Sequence, residues 1–91
     1  MDKRILIVDD DQALRRALVR ILERAEYEVI EAPTGEEALQ RAREHQPPLV
    51  LLDVVLPGID GPEVCRRLKE DPAFADPYVL LISGVRSSSE D

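Results

Sequence analysis

Residues 49–61 read LVLLDVVLPGIDG, and the rest of the chain is arranged around this stretch. Four apolar residues are followed by a single carboxylate, Asp53, and then by a loop that contains Pro57 and Gly58. A short unbroken apolar run bounded by turn residues is typical of a strand buried on both faces of a parallel sheet. Ligands of such sheets bind just beyond the carboxyl ends of the strands. Asp53 is therefore either a plain strand terminus or a functional carboxylate, and the stretch alone leaves both interpretations open.

The first strand of the chain also ends in acid. Residues 4–8 (RILIV) form another apolar run, and Asp9, Asp10 and Asp11 follow it. Asp11 has a structural role available, because it can cap the helix predicted over residues 12–25. Two predicted strands are thus each followed by carboxylates at their carboxyl ends, and this is the first indication of a functional site.

Helices and strands alternate along the rest of the chain. The pattern predicts a strand over 27–32, a helix that ends near residue 45, a helix from a cap at Asp60 to about residue 70, and a strand over 78–82. This order requires a parallel sheet with right-handed crossovers. Three helices are too few to cover both faces of such a sheet, so we expect one face to be incompletely covered.

The first predicted helix is strongly amphipathic. Its arginines, Arg15 and Arg16 among them, are expected on the solvent face. The apolar residues that recur at helical spacing, and that we expect on the inner face, are Ala13, Leu14, Ala17, Leu18, Ile21, Leu22 and Ala25.

The composition is that of one small globular domain of 91 residues, with 44% hydrophobic and 34% charged residues. A net charge of −7 argues against a nucleic-acid-binding surface. The single cysteine, Cys65, excludes an internal disulfide and a multi-cysteine metal site, and it suits a reducing cytosol. Since no apolar run approaches ~18 residues, we expect a cytoplasmic protein without a signal peptide or membrane span.

The acidic strand ends predict a metal site. If the first and third strands are neighbours, Asp9, Asp10 and Asp53 converge at one edge of the sheet. Two carboxylates about 5 Å apart repel by about 3 kcal/mol at an effective dielectric constant of about 20. Such a cluster needs a counter-charge, and a hard divalent cation with oxygen ligands, Mg²⁺ above all, is the obvious one. Without it, at least one carboxyl pKa should rise.

Three short pieces of the sequence recur together in a known family: ILIVDD at residues 5–10, Asp53 followed by PGIDG at 57–61, and Ser83 with Gly84. In this order and spacing they resemble the receiver domain of bacterial two-component response regulators. The resemblance implies a flavodoxin-like α/β fold with the strand order 2-1-3-4. It also implies that Asp53 accepts a phosphoryl group from a histidine kinase or a phosphotransfer protein.

The same resemblance implies a role for each residue of the site. Asp9, Asp10 and Asp53 would hold Mg²⁺ with the backbone carbonyl of Val55, and Mn²⁺ or Ca²⁺ could substitute. Ser83 matches the hydroxyl residue that hydrogen-bonds the phosphoryl group, although it could also be a plain turn residue. The Asp53 carboxylate would attack phosphorus in line while the metal neutralises charge on the phosphoryl oxygens.

The chain departs from the family's pattern at its C-terminal end. Receiver domains have a fourth helix, a fifth strand that ends in a Lys, and a fifth helix beyond the position of Ser83, and these 91 residues lack them. We therefore expect a truncated receiver domain over residues 1–86 and a disordered polar tail over 87–91. Phosphotransfer should be impaired, because a charge that stabilises the phosphorylated state is missing. The surface left uncovered favours a homodimer.

Two other functions compete with this interpretation. A phosphorylation-independent dimerisation or interaction module would keep the fold and use its exposed face for assembly. A small Mg²⁺-dependent phosphatase with an aspartyl nucleophile is disfavoured, because such enzymes commonly place a second Asp where this chain has Val55. We therefore expect a signalling domain and not an enzyme.

Overall fold

A computed structural model describes residues 2–82 of the protein. Within them the elements are, in chain order, β1 (Arg4–Val8), α1 (Gln12–Arg24), β2 (Glu28–Ala32), α2 (Gly35–His45), β3 (Leu49–Asp53), α3 (Gly61–Glu70) and β4 (Tyr78–Ile82). The strands form one parallel sheet in the order β2-β1-β3-β4. This arrangement confirms the predicted doubly wound, flavodoxin-like sheet with the strand order 2-1-3-4. Among these helices none is long and apolar enough to cross a membrane.

The two inner strands carry the acidic ends. β1 lies between β2 and β3, and its Val8 is opposite Ala32 on one side and Leu52 on the other. The residues that come next, Asp9 and Asp53, therefore lie side by side at the carboxyl edge of the sheet. The prediction that the first and third strands are neighbours is confirmed.

The sheet separates two hydrophobic cores of unequal size. Alternate residues of β1 enter each core: Leu6 and Val8 pack with α2 and α3, whereas Ile5 and Ile7 pack with α1. The larger core consists of Leu6, Val8, Ala32, Ala38, Leu39, Ala42, Val50, Leu52, Leu56, Val64, Leu68 and Phe74. The smaller core consists of Ile5, Ile7 and Val19, with half-buried residues around them. Both are almost entirely aliphatic, as the scarcity of aromatic residues requires.

The α1 side of the sheet is covered only in part. Val79 of β4 packs against the larger core. Its neighbours Tyr78 and Leu80 point to the opposite face and are 70% and 50% exposed. For residues 2–82, the expectation of one incompletely covered face is confirmed.

The packing of α1 corrects the inner face predicted for this helix. Val19, which the predicted face omits, is buried, with Leu18 and Leu22 half-buried beside it. The residues expected inside but exposed are Ala13, Leu14, Ala17, Ile21 and Ala25. The reason is that the sheet covers only one stripe of the helix, and this stripe begins at Arg15, one turn before Val19.

Two polar side chains connect neighbouring segments at the end of the sheet opposite the acidic residues. Gln46 caps α2 with a left-handed φ of 49°. Its side-chain amide donates to the carbonyl of Ala73 at 3.0 Å and accepts from the N–H of Ala75 at 2.8 Å. The Arg4 guanidinium donates to the carbonyls of His45 and Gln46. These bonds join the start of β1, the end of α2 and the loop before β4.

Candidate functional site

Three carboxylates meet at the carboxyl edge of β1 and β3. One oxygen from each of Asp9, Asp10 and Asp53 lies within 4.8 Å of the others. Asp9 and Asp53 are buried, with 6% and 2% of their surfaces exposed, whereas Asp10 is open to solvent. The structure thus brings together the three carboxylates named from the sequence and leaves one side of the cluster accessible.

The loop between β1 and α1 fixes Asp9. The backbone N–H of Asp9 donates to the carbonyl of Ala32 at 3.2 Å, and its carboxylate accepts from the N–H of Asp11 at 2.9 Å. Asp11 in turn caps α1, because its carboxylate accepts from the N–H of Leu14 at 3.1 Å. The predicted capping role of Asp11 is confirmed, and the same turn orients Asp9.

The loop after β3 fixes Asp53. The Asp53 carboxylate accepts from the N–H of Val55 at 3.1 Å. Val54 donates to the carbonyl of Ile82 at 3.0 Å and accepts from the N–H of Gly61 at 2.9 Å. Because Gly61 begins α3, the first turn of this helix rests on the end of β3.

Burial raises the pKa of the Asp9 carboxyl above its ordinary value, and the charges of Asp53, Asp10 and Asp11 raise it further. The hydrogen bond from the Asp11 N–H acts in the opposite direction, because it stabilises the charged form. The cluster therefore holds negative charge at a free-energy cost that a bound cation would remove.

The donor set fits a hard divalent cation. Each of the three side chains offers carboxylate oxygens, the ligand type that suits Mg²⁺, Mn²⁺ and Ca²⁺. The exposed side at Asp10 leaves room for the waters that Mg²⁺ usually keeps. The Val55 peptide lies next to the cluster, and its carbonyl as a ligand stays a prediction. Ser83 lies outside the described residues, so its role also stays a prediction, as do the domain end at residue 86 and the tail over 87–91.

Arg15 contacts this site, and the sequence interpretation missed it. Its side chain is only 12% exposed, its Nη1 donates to the carbonyl of Asp9 at 2.7 Å, and its Nε donates to Glu31 at 2.9 Å. The expectation that Arg15 lies on the solvent face is wrong, because Arg15 stands three and four residues before Leu18 and Val19, on the stripe that faces the sheet. Periodicity alone does not show that this stripe is the buried one.

Both lysines of the chain lie away from the acidic cluster. Lys69, near the end of α3, donates to the carbonyl of Pro77 at 3.0 Å and pairs with Asp76 at 2.7 Å. Lys3 precedes β1, and its Nζ lies 5.3 Å from the centre of the Tyr27 ring. Neither is a partner for the Asp53 carboxylate.

The chain is similar in sequence to known proteins. The response regulator receiver domain family matches residues 5–91. The alkaline phosphatase synthesis transcriptional regulatory protein PhoP of Bacillus subtilis is 49% identical over 70 residues, which cover 77% of this chain. The chain spans only 29% of the length of PhoP.

Solved structures agree with the sequence matches. The N-terminal domain of a response regulator receiver protein from Methanoculleus marisnigri is 42% identical, with a TM-score of 0.82 over 86% of this chain and 63% of that one. The response regulator TrrA from Thermotoga maritima, in complex with Mg²⁺-BeF, is 37% identical, with a TM-score of 0.82 over 89% of this chain and 69% of that one. The chain belongs to the receiver domain family of two-component response regulators, as its sequence motifs predict.

Proposed function

We propose that Asp53 is the phospho-acceptor of this receiver domain and that its donor is a histidine kinase or a phosphotransfer protein. The observation that carries the proposal is the position of the buried Asp53, whose carboxylate lies within 4.8 Å of Asp9 and Asp10. The complex of TrrA with Mg²⁺-BeF supports a magnesium site in the related receiver domains. The matches to receiver domains favour this signalling function over a phosphorylation-independent interaction module.

The transfer exchanges one bond to phosphorus for another. A carboxylate oxygen of Asp53 attacks the phosphorus of a phosphohistidine, the P–N bond breaks, and the histidine nitrogen keeps the bonding electrons. Asp9, Asp10, Asp53 and the Val55 carbonyl would hold Mg²⁺, or Mn²⁺ or Ca²⁺ in its place. The bound cation supplies positive charge that offsets the charge of the carboxylates and of the phosphoryl oxygens. The Ser83 hydroxyl is proposed to donate a hydrogen bond to the phosphoryl group.

Intact-mass spectrometry tests the assignment of Asp53. The 91-residue chain, incubated with Mg²⁺ and acetyl phosphate, should gain one phosphoryl group, and Asp53→Asn should gain none. The modification should be incomplete and short-lived in this chain, because Lys69, the one lysine after Asp53, lies near the end of α3, where it donates to the carbonyl of Pro77 before β4. A phosphoryl group on Asp53→Asn, or none on the wild-type chain, would overturn the assignment.

The exposed apolar residues favour a homodimer of the 91-residue chain, which we also propose. Leu14 and Ile21 of α1 and Tyr78, Leu80 and Leu81 of β4 are exposed. Within residues 2–82, β4 pairs with β3 alone, so its outer edge offers backbone groups to a second copy. Light scattering should report a dimer that Leu80→Asp converts to a monomer. A wild-type chain that stays monomeric at high concentration would exclude this arrangement.

We further propose a cytoplasmic domain that binds no nucleic acid and catalyses no reaction of its own. The net charge of −7 disfavours contact with a polyanion, and one half-buried cysteine, Cys65, suits a reducing compartment. Electrophoretic mobility shift with duplex DNA should show no retardation by the 91-residue chain.

A further inference from the structure

Arg15 bridges the end of β1 and the end of β2. Its Nη1 donates to the carbonyl of Asp9 at 2.7 Å, and its Nε donates to the carboxylate of Glu31 at 2.9 Å. The Arg15 side chain is 12% exposed. The neighbouring Arg16 is 55% exposed and reaches the other carboxylate oxygen of Glu31 at 3.1 Å. The two arginines therefore share Glu31, but only Arg15 extends to the acidic site.

Asp9 lies one residue beyond β1, and β2 holds both of its backbone groups. Its N–H donates directly to the carbonyl of Ala32 at 3.2 Å. Its carbonyl is held through Arg15, which is itself bonded to Glu31 of β2. Because Asp9 is only 6% exposed, a carbonyl that lost the Arg15 donor would remain buried with little access to water.

We infer that Arg15 is a positioning residue for the metal site, since it holds the main chain of Asp9 so that the Asp9 carboxylate faces Asp10 and Asp53. The inference rests on the proposed function of the acidic cluster. Among the residues that the structure describes, the carboxylate that pairs with Arg15 is Glu31. Arg15 therefore holds the main chain of Asp9 while its own charge is paired with Glu31 and not with a carboxylate of the cluster.

Position and charge predict opposite effects of removing Arg15. A positive charge near the site repels a metal cation, so its loss would tighten Mg²⁺ binding if charge alone mattered. If Arg15 positions Asp9, its removal leaves this metal ligand less firmly held. Substitution of residues that support metal ligands typically lowers the affinity for the metal by about 10- to 100-fold. A positioning role therefore predicts that Arg15→Ala binds Mg²⁺ about 10-fold more weakly than the wild-type chain.

Calorimetric titration of the 91-residue chain with MgCl₂ measures this difference. Arg16→Ala is the matched control, because it removes the same charge and a bond to the same Glu31 but no contact with Asp9. Its Kd for Mg²⁺ should stay within about twofold of the wild-type value. Arg15→Lys should recover part of the affinity, because the ammonium reaches one acceptor but lacks the planar fork of arginine.

Glu31→Ala tests the second half of the bridge. It should weaken Mg²⁺ binding as Arg15→Ala does, because Arg15 then has no anchor on β2. The double variant, with both Arg15→Ala and Glu31→Ala, should bind Mg²⁺ no more weakly than whichever single variant has the lower affinity, since the two side chains act as one unit.

The amide resonance of Asp11 gives a readout without metal, because this N–H donates to the Asp9 carboxylate at 2.9 Å. In Mg²⁺-free nitrogen–proton correlation spectra it should shift in Arg15→Ala and not in Arg16→Ala. Far-UV circular dichroism verifies that each variant folds, and Arg15→Lys replaces Arg15→Ala if the latter does not. Wild-type or tighter Mg²⁺ binding by Arg15→Ala would overturn the inference. If the wild-type chain itself binds no Mg²⁺, the proposed function fails, and an unmoved Asp11 amide in Arg15→Ala then overturns the inference as well.

Discussion

Gly61, the first residue of α3, rests on the backbone of Asp53, the proposed phospho-acceptor. A Cβ added to Gly61 would overlap the carbonyl oxygen of Asp53 and lie 2.8 Å from the Cα of Val54. Both contacts are with backbone atoms, so no side-chain rotation relieves them. The start of α3 and the acidic end of β3 therefore share one close contact that only glycine permits.

Gly61→Ala should destabilise the fold by about 3 kcal/mol, because overpacking against backbone forces a shift of the strand end. Mg²⁺ binding should weaken in parallel, since Asp53 belongs to the displaced segment. Urea unfolding followed by circular dichroism measures the first effect, and calorimetry measures the second. Pro62→Ala, at the exposed next position, is the control and should change stability by less than about 1 kcal/mol. Equal stabilities for Gly61→Ala and the wild type would mean that the end of β3 adjusts freely.

Asp9→Asn should stabilise the metal-free protein and abolish its response to Mg²⁺. Asparagine keeps the shape of Asp9 and an oxygen for the Asp11 N–H, but it carries no charge to desolvate or to repel Asp53. Asp10→Asn is the control, because Asp10 is exposed and its neutralisation should change metal-free stability little. Unfolding in EDTA and in excess Mg²⁺ measures both effects. An Asp9→Asn variant less stable than the wild type in EDTA would argue against a cost of burying this charge.

The raised pKa of Asp9 gives Mg²⁺ binding a pH dependence of known sign. In the folded state the pKa lies above the unfolded value of about 3.9. The contribution of protonated Asp9 to the free energy of unfolding is therefore complete below about pH 3.9, and it is lost as the pH rises through the pKa that Asp9 has in the folded state. Because Mg²⁺ binds the charged form, its apparent affinity should fall as the pH is lowered toward that pKa. Calorimetric titrations at a series of pH values test this, and an affinity that does not change with pH would contradict it.

Gln46→Ala should destabilise the protein by about 1–2 kcal/mol, because the bonds of its amide to Ala73 and Ala75 are lost. Gln46→Gly loses the same bonds but accepts the left-handed backbone, so it should be about 1 kcal/mol more stable than Gln46→Ala. Gln40→Ala, on the exposed side of α2, is the control. Thermal unfolding measures all three. If Gln46→Ala and Gln40→Ala were equally stable, the loop before β4 would hold without the amide.

Much of the fold and the acidic cluster could be predicted because they depend on local patterns. The apolar runs define the strands, and Thr34 and Asp60 cap their helices by accepting from backbone N–H groups at 3.1 and 3.0 Å. Parallel strands then place residues such as Asp9 and Asp53 at one edge. These steps need no knowledge of distant contacts.

The features that could not be predicted depend on contacts between distant segments. The apolar arc of α1 is wider than the stripe that the sheet covers, so periodicity alone does not tell that Val19 is buried and Ile21 exposed. The orientation that buries Val19 also turns Arg15 toward Glu31, 16 residues away in the chain. Likewise, the amide of Gln46 meets Ala73 across 27 residues, and a sequence gives no sign of such a pair.

The central position of β1 determines how the site responds to local fluctuations. Leu6 and Ile7 are almost fully buried and have a strand on each side, so their amide hydrogens should exchange with solvent most slowly. β4 is exposed and pairs on one side within residues 2–82, so its amides should exchange first. Asp9 follows β1 and Asp53 ends β3, the two inner strands. Transient opening of β4 therefore leaves β1 paired with β3, so Asp9 and Asp53 stay at the ends of neighbouring strands.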